Sequence, residues 1–303
     1  MGYLSQKKRQ ERRTAVLNVA ILLILLFTII VIFAPQNVFF SHFIKWQFQY
    51  YIITLIIFVY SMCIKYFIHS GIILFFIIIN SVILSSSSNI FFNTSGQGTE
   101  EISIVYQNKV SQIKPLIVQA DKKQADIIAV NPIKNLNNVV DDNYRLFHDD
   151  ADLGKSFILS GIPAIRSGTI HFSSTLSASY IVIQKAKREI MIINIDFSKM
   201  REEEQKSVFK NLSEFVLEQN IPIIMVGDFG ISSWQSNFNK FLEETGMKVK
   251  NRFILSDGKY KFNPLAHPTY NVLGYKALGL KKVEFLTRKE KNSNYPLLFQ
   301  IIL

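Results

Sequence analysis

A nineteen-residue stretch, Ala15 to Phe33, with Asn18 and Thr28 as its only polar members, constrains this chain more than anything else in it. A helix of about 20 apolar residues crosses the hydrocarbon core of a bilayer, so the stretch reads as a transmembrane span. A cleaved signal peptide would carry roughly 7 to 15 apolar residues before a small-residue cleavage site. This run is longer and ends Ala34-Pro35-Gln36. Two further apolar runs follow, Trp46 to Ile64 and Phe67 to Leu84, separated only by Lys65 and Tyr66. So short a break calls for a tight helical hairpin, with Trp46, Tyr50, Tyr51, Tyr60 and Tyr66 available to sit at the interfaces. Neither run has the amphipathic stripe of a soluble helix pair.

Charge orients these spans. Lys7, Lys8, Arg9, Arg12 and Arg13 precede the first, Lys65 lies in the second turn, and the intervening loop offers Lys45 alone. The positive-inside bias puts the amino terminus in the cytoplasm, and three crossings put everything after Leu84 outside, the periplasm if the cell is a bacterium. The formal charge of +11 overstates the basicity of the remainder, because more than half of the excess lies before residue 66. The mild surplus left over does not argue for nucleic acid. Cys63 is the only cysteine, so no intrachain disulfide is possible. Residues 85 to 100, rich in serine and asparagine, read as a flexible linker.

From Glu101 the texture changes to short β-rich runs and amphipathic helices. Strands are expected at 102–106, 126–130, 156–159, 169–172, 178–184, 189–195, 283–286 and 297–302. Helices are expected at 110–122, at 235–245, and over a longer stretch capped by Ser198 with Val208, Leu212, Phe215 and Val216 on one face.

Within that region Ile221 to Trp234 carries the sharpest signal. Ile-Pro-Ile-Ile-Met-Val reads as a buried strand that delivers Gly227-Asp228 to a loop at its carboxyl end. Open α/β sheets place their chemistry there. An acidic residue on such a loop is either a metal ligand or a turn-former whose carboxylate accepts neighbouring backbone amides.

The order of elements, with Asp-Ile-Ile-Ala-Val, Ile-Pro-Ile-Ile-Met-Val-Gly-Asp-Phe, a Ser-Trp before a helix and a final Tyr-Pro-Leu strand, resembles the endonuclease/exonuclease/phosphatase superfamily. In particular it is similar to a bacterial branch with three amino-terminal spans. The resemblance covers residues 101 to 303. It implies an α/β fold of deoxyribonuclease-I type: a three-helix transmembrane anchor followed by a four-layer α/β/β/α sandwich. It also implies a divalent-metal site at one edge, with carboxylates for Mg²⁺, a histidine–aspartate pair, and asparagines that hold phosphate while water attacks.

Placed on this chain, those motifs are depleted. Asn108 matches the first-strand asparagine. The Gln-Glu that supplies a metal carboxylate falls at Asn131-Pro132, and the histidine after the middle strand falls at Asp196. Gly-Asp-Phe-Asn keeps Asp228 but has Gly230 for its asparagine. Ile-Asp-His falls at Thr269-Tyr270-Asn271, and the terminal Ser-Asp-His at Asn292-Ser293-Asn294. An asparagine takes up no proton near neutral pH, so Asn294 does not replace a histidine base. The resemblance therefore implies vestigial positions (Asn108, Pro132, Asp196, Asp228, Gly230, Tyr270, Asn271, Ser293 and Asn294), no catalytic residue and no cofactor. The expected product is a membrane-anchored pseudoenzyme that serves as a structural or binding subunit of a membrane or envelope complex. Its expected partners are the lipid bilayer and other membrane or envelope subunits, and not nucleic acid. The alternative is a divergent phosphodiesterase or phosphatase on nucleic acid, lipid or a phosphorylated envelope component, with Mg²⁺ or Mn²⁺ on Asp228 and Asp196, joined by Asp149 or Asp150.

Other clusters have bland readings beside functional ones. His148, Asp149, Asp150 and Asp152 would suit a cation or a solvated loop, without EF-hand or zinc spacing. Isolated His171 and His267 suit ordinary surface or packed positions. Lys185, Lys187 and Arg188 would suit phosphate or an exposed hairpin turn. Lys281, Lys282, Arg288, Lys289 and Lys291 would suit an anionic surface. Gly154-Lys155-Ser156 lacks the earlier glycine of a phosphate loop.

Overall fold

The computed structural model describes residues 3–33, 46–87, 100–110, 112–132, 143–147, 156–173, 176–185, 187–231, 235–250, 270–274, 278–287 and 294–303. The chain divides into an amino-terminal helical unit and an α/β unit that holds nearly all of residues 88–303.

The helical unit contains α1 (Tyr3–Phe33), α2 (Gln47–Cys63) and α3 (Phe67–Ser87). Among the described residues α1 alone is both long and apolar enough to cross a membrane, over Gln6–Ile32. The described apolar parts of α2 and α3, Gln47–Cys63 and Phe67–Ile83, are each shorter than the roughly 20 residues a full crossing takes. Three expected spans thus reduce to one that meets the length criterion. The tight turn expected between α2 and α3 is present: Lys65 adopts φ 63°, and the Lys65 and Tyr66 amides donate to the Met62 and Ser61 carbonyls. That is a Schellman closure with lysine, rather than glycine, in the left-handed position.

Ile24, Ile73, Phe76 and Ile77 form an apolar cluster inside this unit, but along α2 the usual burial order is inverted. The buried residues of α2 are Gln47, Gln49, Tyr50, Thr54 and Ser61, while Ile53, Ile56 and Val59 are exposed. The Thr28 and Tyr50 hydroxyls lie 2.8 Å apart, and Asn80 Nδ2 donates to Thr28 Oγ1. Ser61 and Ser70 hydroxyls are 2.7 Å apart across the α2–α3 hairpin.

The α/β unit holds two six-stranded sheets. The first is built from β1 (Glu101–Val110), β2 (Ile127–Pro132), β3 (Arg145–Phe147), β4 (Phe157–Ser160), β11 (Gly279–Phe285) and β12 (Leu297–Ile302), in the order β11-β12-β1-β2-β4-β3. The second is built from β5 (Ala164–His171), β6 (Ser177–Lys185), β7 (Arg188–Asp196), β8 (Ile223–Asp228), β9 (Lys248–Val249) and β10 (Tyr270–Gly274), in the order β5-β6-β7-β8-β10-β9. Helix α4 (Lys114–Lys122) packs on the outer face of the first sheet; α5 (Gln205–Glu218) and α6 (Ser236–Thr245) pack on that of the second.

Alternation along the strands builds the layers. Ile102, Ile104 and Tyr106 of β1 face Ile192, Ile224 and Val226 of the other sheet. Val105 and Ile128 turn outward against Leu116, Ile117 and Ala120 of α4. Ile193, Ile223 and Met225 turn outward against Val208, Phe209 and Leu212 of α5 and Phe238 and Phe241 of α6. Central strands buried on both faces read as continuous apolar runs, which is why Ile223 to Val226 lacks alternation. The four-layer α/β/β/α arrangement expected from the sequence is the one observed.

Each sheet has one parallel pair at its centre: β1 with β2, joined through α4, and β7 with β8, joined through α5. Helical crossovers make such pairs parallel, and they deliver both carboxyl ends of a pair to the same rim.

Several boundaries differ from expectation. The long helix starts at Gln205 after a 3₁₀ turn at Glu202–Glu204, and Ser198 is not its cap. Ser198 instead bonds the Asp196 carboxylate. The helix expected from residue 110 begins at Lys114, because β1 continues to Val110. Strands β3, β9 and β10 and the first half of β5 went unpredicted. They are short, or interrupted by polar residues and glycine, as in Arg166-Ser167-Gly168.

Candidate functional site

The carboxyl ends of the two parallel pairs meet across the sandwich. Asn108, near the end of β1, donates from Nδ2 to Asp228 Oδ2 at the end of β8 (3.1 Å). A bulge after Asn108 puts Lys109 at φ 56°, and the Lys109 amide donates to Asn108 Oδ1, so the asparagine is oriented from its own backbone.

Asp228 is nearly buried, at 6% exposure. Its Oδ1 accepts the Gly230 amide at 2.9 Å, and its carbonyl accepts the Phe197 amide at 2.7 Å. The two flanking glycines have steric reasons. A Cβ on Gly227 (φ 149°) would lie 2.0 Å from the Ile195 carbonyl oxygen, and one on Gly230 (φ 68°) 2.1 Å from that of Phe197. Glycine at both positions lets the β8 loop lie directly on the β7 backbone.

Asp196 ends β7 as the register partner of Asp228 on the adjacent parallel strand. Its Oδ1 accepts both the Ser198 amide (3.2 Å) and the Ser198 hydroxyl (2.6 Å), the pattern of a side-chain-closed turn. Asn131 is the partner of Asn108 and Pro132 the partner of Val110. On β10, Tyr270 and Asn271 pair with Asp228 and Gly227. Asn294 is buried, and its carbonyl accepts Gln107 Nε2 at 2.5 Å. Of the nine positions singled out in the sequence, eight are thus carried on strand ends or turns around this rim. Ser293, with Thr269, Asn292 and the His148–Asp152 cluster, lies outside the described residues.

Gln107 and Asn194 are not among the residues expected at the site, and Asn131 is expected there only as the neighbour of Pro132. Asn131 Nδ2 donates to the Tyr106 hydroxyl of the neighbouring strand and, across the gap between the sheets, to the Ile195 carbonyl. Asn194 Nδ2 reaches back to the Val130 and Phe157 carbonyls, 3.0 Å each. Both amides are fully buried, and neither Oδ1 has a partner among the described residues. The available signal was a lone asparagine inside Ile-Ile-Asn-Ile: a buried polar group needs partners, and here it finds them in the opposite sheet.

A divalent cation is what this fold elsewhere implies, so the donor set can be tested for it. Mg²⁺ takes near-octahedral oxygen ligands, with carboxylates bringing the charge. Here each Asp228 oxygen accepts one hydrogen bond, Asp196 Oδ1 is held by Ser198, and the second carboxylate position is proline. No group of three His, Cys, Asp or Glu that could hold a metal occurs among the described residues. The described residues by themselves do not fit the cation.

Of the basic clusters, Lys185 pairs with Asp126 at 2.6 Å, Lys281 with Glu101, and Lys282 and Lys123 with Glu284. These pairs hold the Glu284 carboxyl below its usual range through hydrogen bonds from Lys123 and Lys282. One buried cation was not foreseen. Lys250, following β9, donates from Nζ to the Leu278 carbonyl, and burial, with Lys248 nearby, lowers its pKa to about 8.

No protein-family model matches this sequence, and no curated protein matches it. Solved structures do match the fold. An endonuclease/exonuclease/phosphatase family protein from Bacteroides thetaiotaomicron is 12% identical, covering 67% of this chain and 98% of that one, with a TM-score of 0.51. The endonuclease/exonuclease/phosphatase from Bacteroides vulgatus is 11% identical over 68% of this chain and 100% of that one, with a TM-score of 0.51. The human Nocturnin catalytic domain with bound sulfate anion is 14% identical over 66% of this chain and 94% of that one, with a TM-score of 0.50. The α/β unit therefore has the endonuclease/exonuclease/phosphatase fold.

Proposed function

We propose that this chain is a membrane-anchored, non-catalytic protein of endonuclease/exonuclease/phosphatase fold that serves as a binding or structural subunit of a membrane or envelope complex. The observation that carries this reading is how Asp228 is engaged: each of its two carboxylate oxygens accepts a hydrogen bond from inside the protein, Oδ2 from the Asn108 amide and Oδ1 from the Gly230 N–H. Gly230 is held where a side chain cannot enter, so the family's asparagine is excluded at that position by the backbone of Phe197. With Pro132 in the metal-carboxylate position and Asn294 in that of the histidine, groups that act as a unit are missing together, and such losses are not partial.

The anchor in this reading consists of α1, α2 and α3. Its support is the burial pattern of α2 and α3, with Gln47, Thr54 and Ser61 inside and Ile53, Ile56, Phe75 and Ile78 outside. Outward apolar and inward polar side chains suit a lipid surround, where buried hydroxyls and amides join helices. With Lys7 to Arg13 in the cytoplasm, three crossings place the α/β unit on the far side of the inner membrane.

A second reading, a divergent metal-dependent phosphodiesterase or phosphatase, draws on one observation: Asp196 and Asp228 are direct register partners. Two adjacent carboxylates are the minimum from which a Mg²⁺ or Mn²⁺ site could be assembled.

Calorimetric titration of the purified full-length protein with MnCl₂ separates the two. The proposed reading expects no binding heat that depends on Asp228. Stoichiometric binding lost in Asp228→Ala would favour the second. Copurification in mild detergent then identifies the subunits that a non-catalytic role requires.

A further inference from the structure

The α1 helix does not stop where its apolar run begins. It extends back to Tyr3, so Lys8, Arg9, Arg12 and Arg13 stand on the same rigid rod as the span. At 3.6 residues per turn these four positions fall within an arc of about 140°, while Glu11 lies beside Lys7, off that arc. All four side chains are exposed. Lys8, Arg9 and Arg12 line one shallow groove that leads to Ala15, the first residue of the apolar run, with Glu11 as its single acidic lining residue.

Among the described residues, the four exposed cations here share the lack of a carboxylate partner with Lys187 and Arg188 of the β6–β7 turn, and differ from them in standing at the head of an apolar run. Lys123, Lys185, Lys281 and Lys282 each pair with a carboxylate of the α/β unit. No ion pair among the described residues involves Lys8, Arg9, Arg12 or Arg13. Lys8–Arg12 and Arg9–Arg13 are, moreover, like-charged i,i+4 pairs that oppose the helix they sit on, and no acidic residue occupies its first turn. An external anion offsets that repulsion.

Position names the anion. At a rise of about 1.5 Å per residue, the four Cα atoms lie roughly 3 to 11 Å before Ala15 along the axis. The polar headgroup layer occupies the first 5 to 8 Å or so outside the hydrocarbon, and Lys and Arg side chains extend toward it along the helix. We propose that this face binds the phosphates of anionic lipids in the leaflet where α1 emerges, holding the helix at a fixed depth. This rests on the reading of α1 as a span.

The test is native mass spectrometry of the full-length protein in mild detergent, with added phosphatidylglycerol or phosphatidylcholine of matched acyl chains. The expected result is a preference of about tenfold or more for phosphatidylglycerol, since each basic residue near the surface adds to it. That preference is expected to be lost in the combined Lys8→Gln, Arg9→Gln, Arg12→Gln, Arg13→Gln variant, increased in Glu11→Gln, and unchanged in Lys281→Gln with Lys282→Gln. Equal retention of both lipids, or a preference that survives the fourfold change, would overturn the proposal. Displacement of the lipid by millimolar inorganic phosphate would also overturn it, revealing a free-anion site. Alkaline carbonate extraction of native membranes keeps the two failures apart. Release of the chain rejects the span itself, whereas retention without lipid preference rejects this inference alone.

Discussion

At Gly230 a single residue decides what the rim can become. Its φ of 68° and the 2.1 Å approach of a Cβ to the Phe197 carbonyl mean that Gly230→Asn, which restores the family's Gly-Asp-Phe-Asn, must displace backbone. The substitution is expected to cost about 2–4 kcal/mol and to restore no metal-dependent activity, as checked by thermal unfolding and a phosphodiester assay on one preparation. Asp228→Ala is expected to cost about 1–3 kcal/mol, because it strands the Gly230 N–H and the Asn108 amide in a nearly closed site. Lys250 supplies a pH signature. Its pKa is about 8 in the folded chain, against an ordinary lysine value near 10.5 when unfolded. Between those values the unfolded state binds more protons, so stability rises with pH across this window, and the penalty of the buried charge is fully present below it. Denaturation midpoints from pH 7 to 11 should show that rise in the parent and a smaller one in Lys250→Met.

Elements show how much could be read in advance. Strands buried on both faces announced themselves, as at Ile221 to Gly227 and Glu189 to Ile195, because nothing but sheet interior accommodates such runs. By contrast β10, Tyr-Asn-Val-Leu-Gly, carries an asparagine and a glycine and owes its existence to pairing with β8, a tertiary fact without a local signal. The start of α5 was misplaced because Ser198 looks like a cap, whereas its hydroxyl belongs to the Asp196 turn. The rim itself was half legible. Its named positions follow from the family's order of motifs, but the amides that clamp the sheets beneath it, Asn131 and Asn194, are visible only once two distant strands are known to face each other. Asn194→Ala removes two inter-sheet hydrogen bonds at once. It is expected to cost about 2–3 kcal/mol, with the loss seen in the same unfolding assay and without effect on membrane insertion.

For the whole molecule the helical unit and the α/β unit make separate commitments. The first is tested by topology: with three spans, cysteines placed at residue 5 and residue 290 in a Cys63→Ser background label from opposite sides of the membrane, and same-side labelling would require an even number of crossings. The second is tested by turnover, the most direct probe of the proposal that an intact fold has outlived its chemistry. Full-length protein in mild detergent, supplied with Mg²⁺ or Mn²⁺ and bis-p-nitrophenyl phosphate, is expected to hydrolyse no more than a metal-free control, with Asp228→Ala indistinguishable from the parent. Metal-dependent hydrolysis that Asp228→Ala abolishes would contradict it.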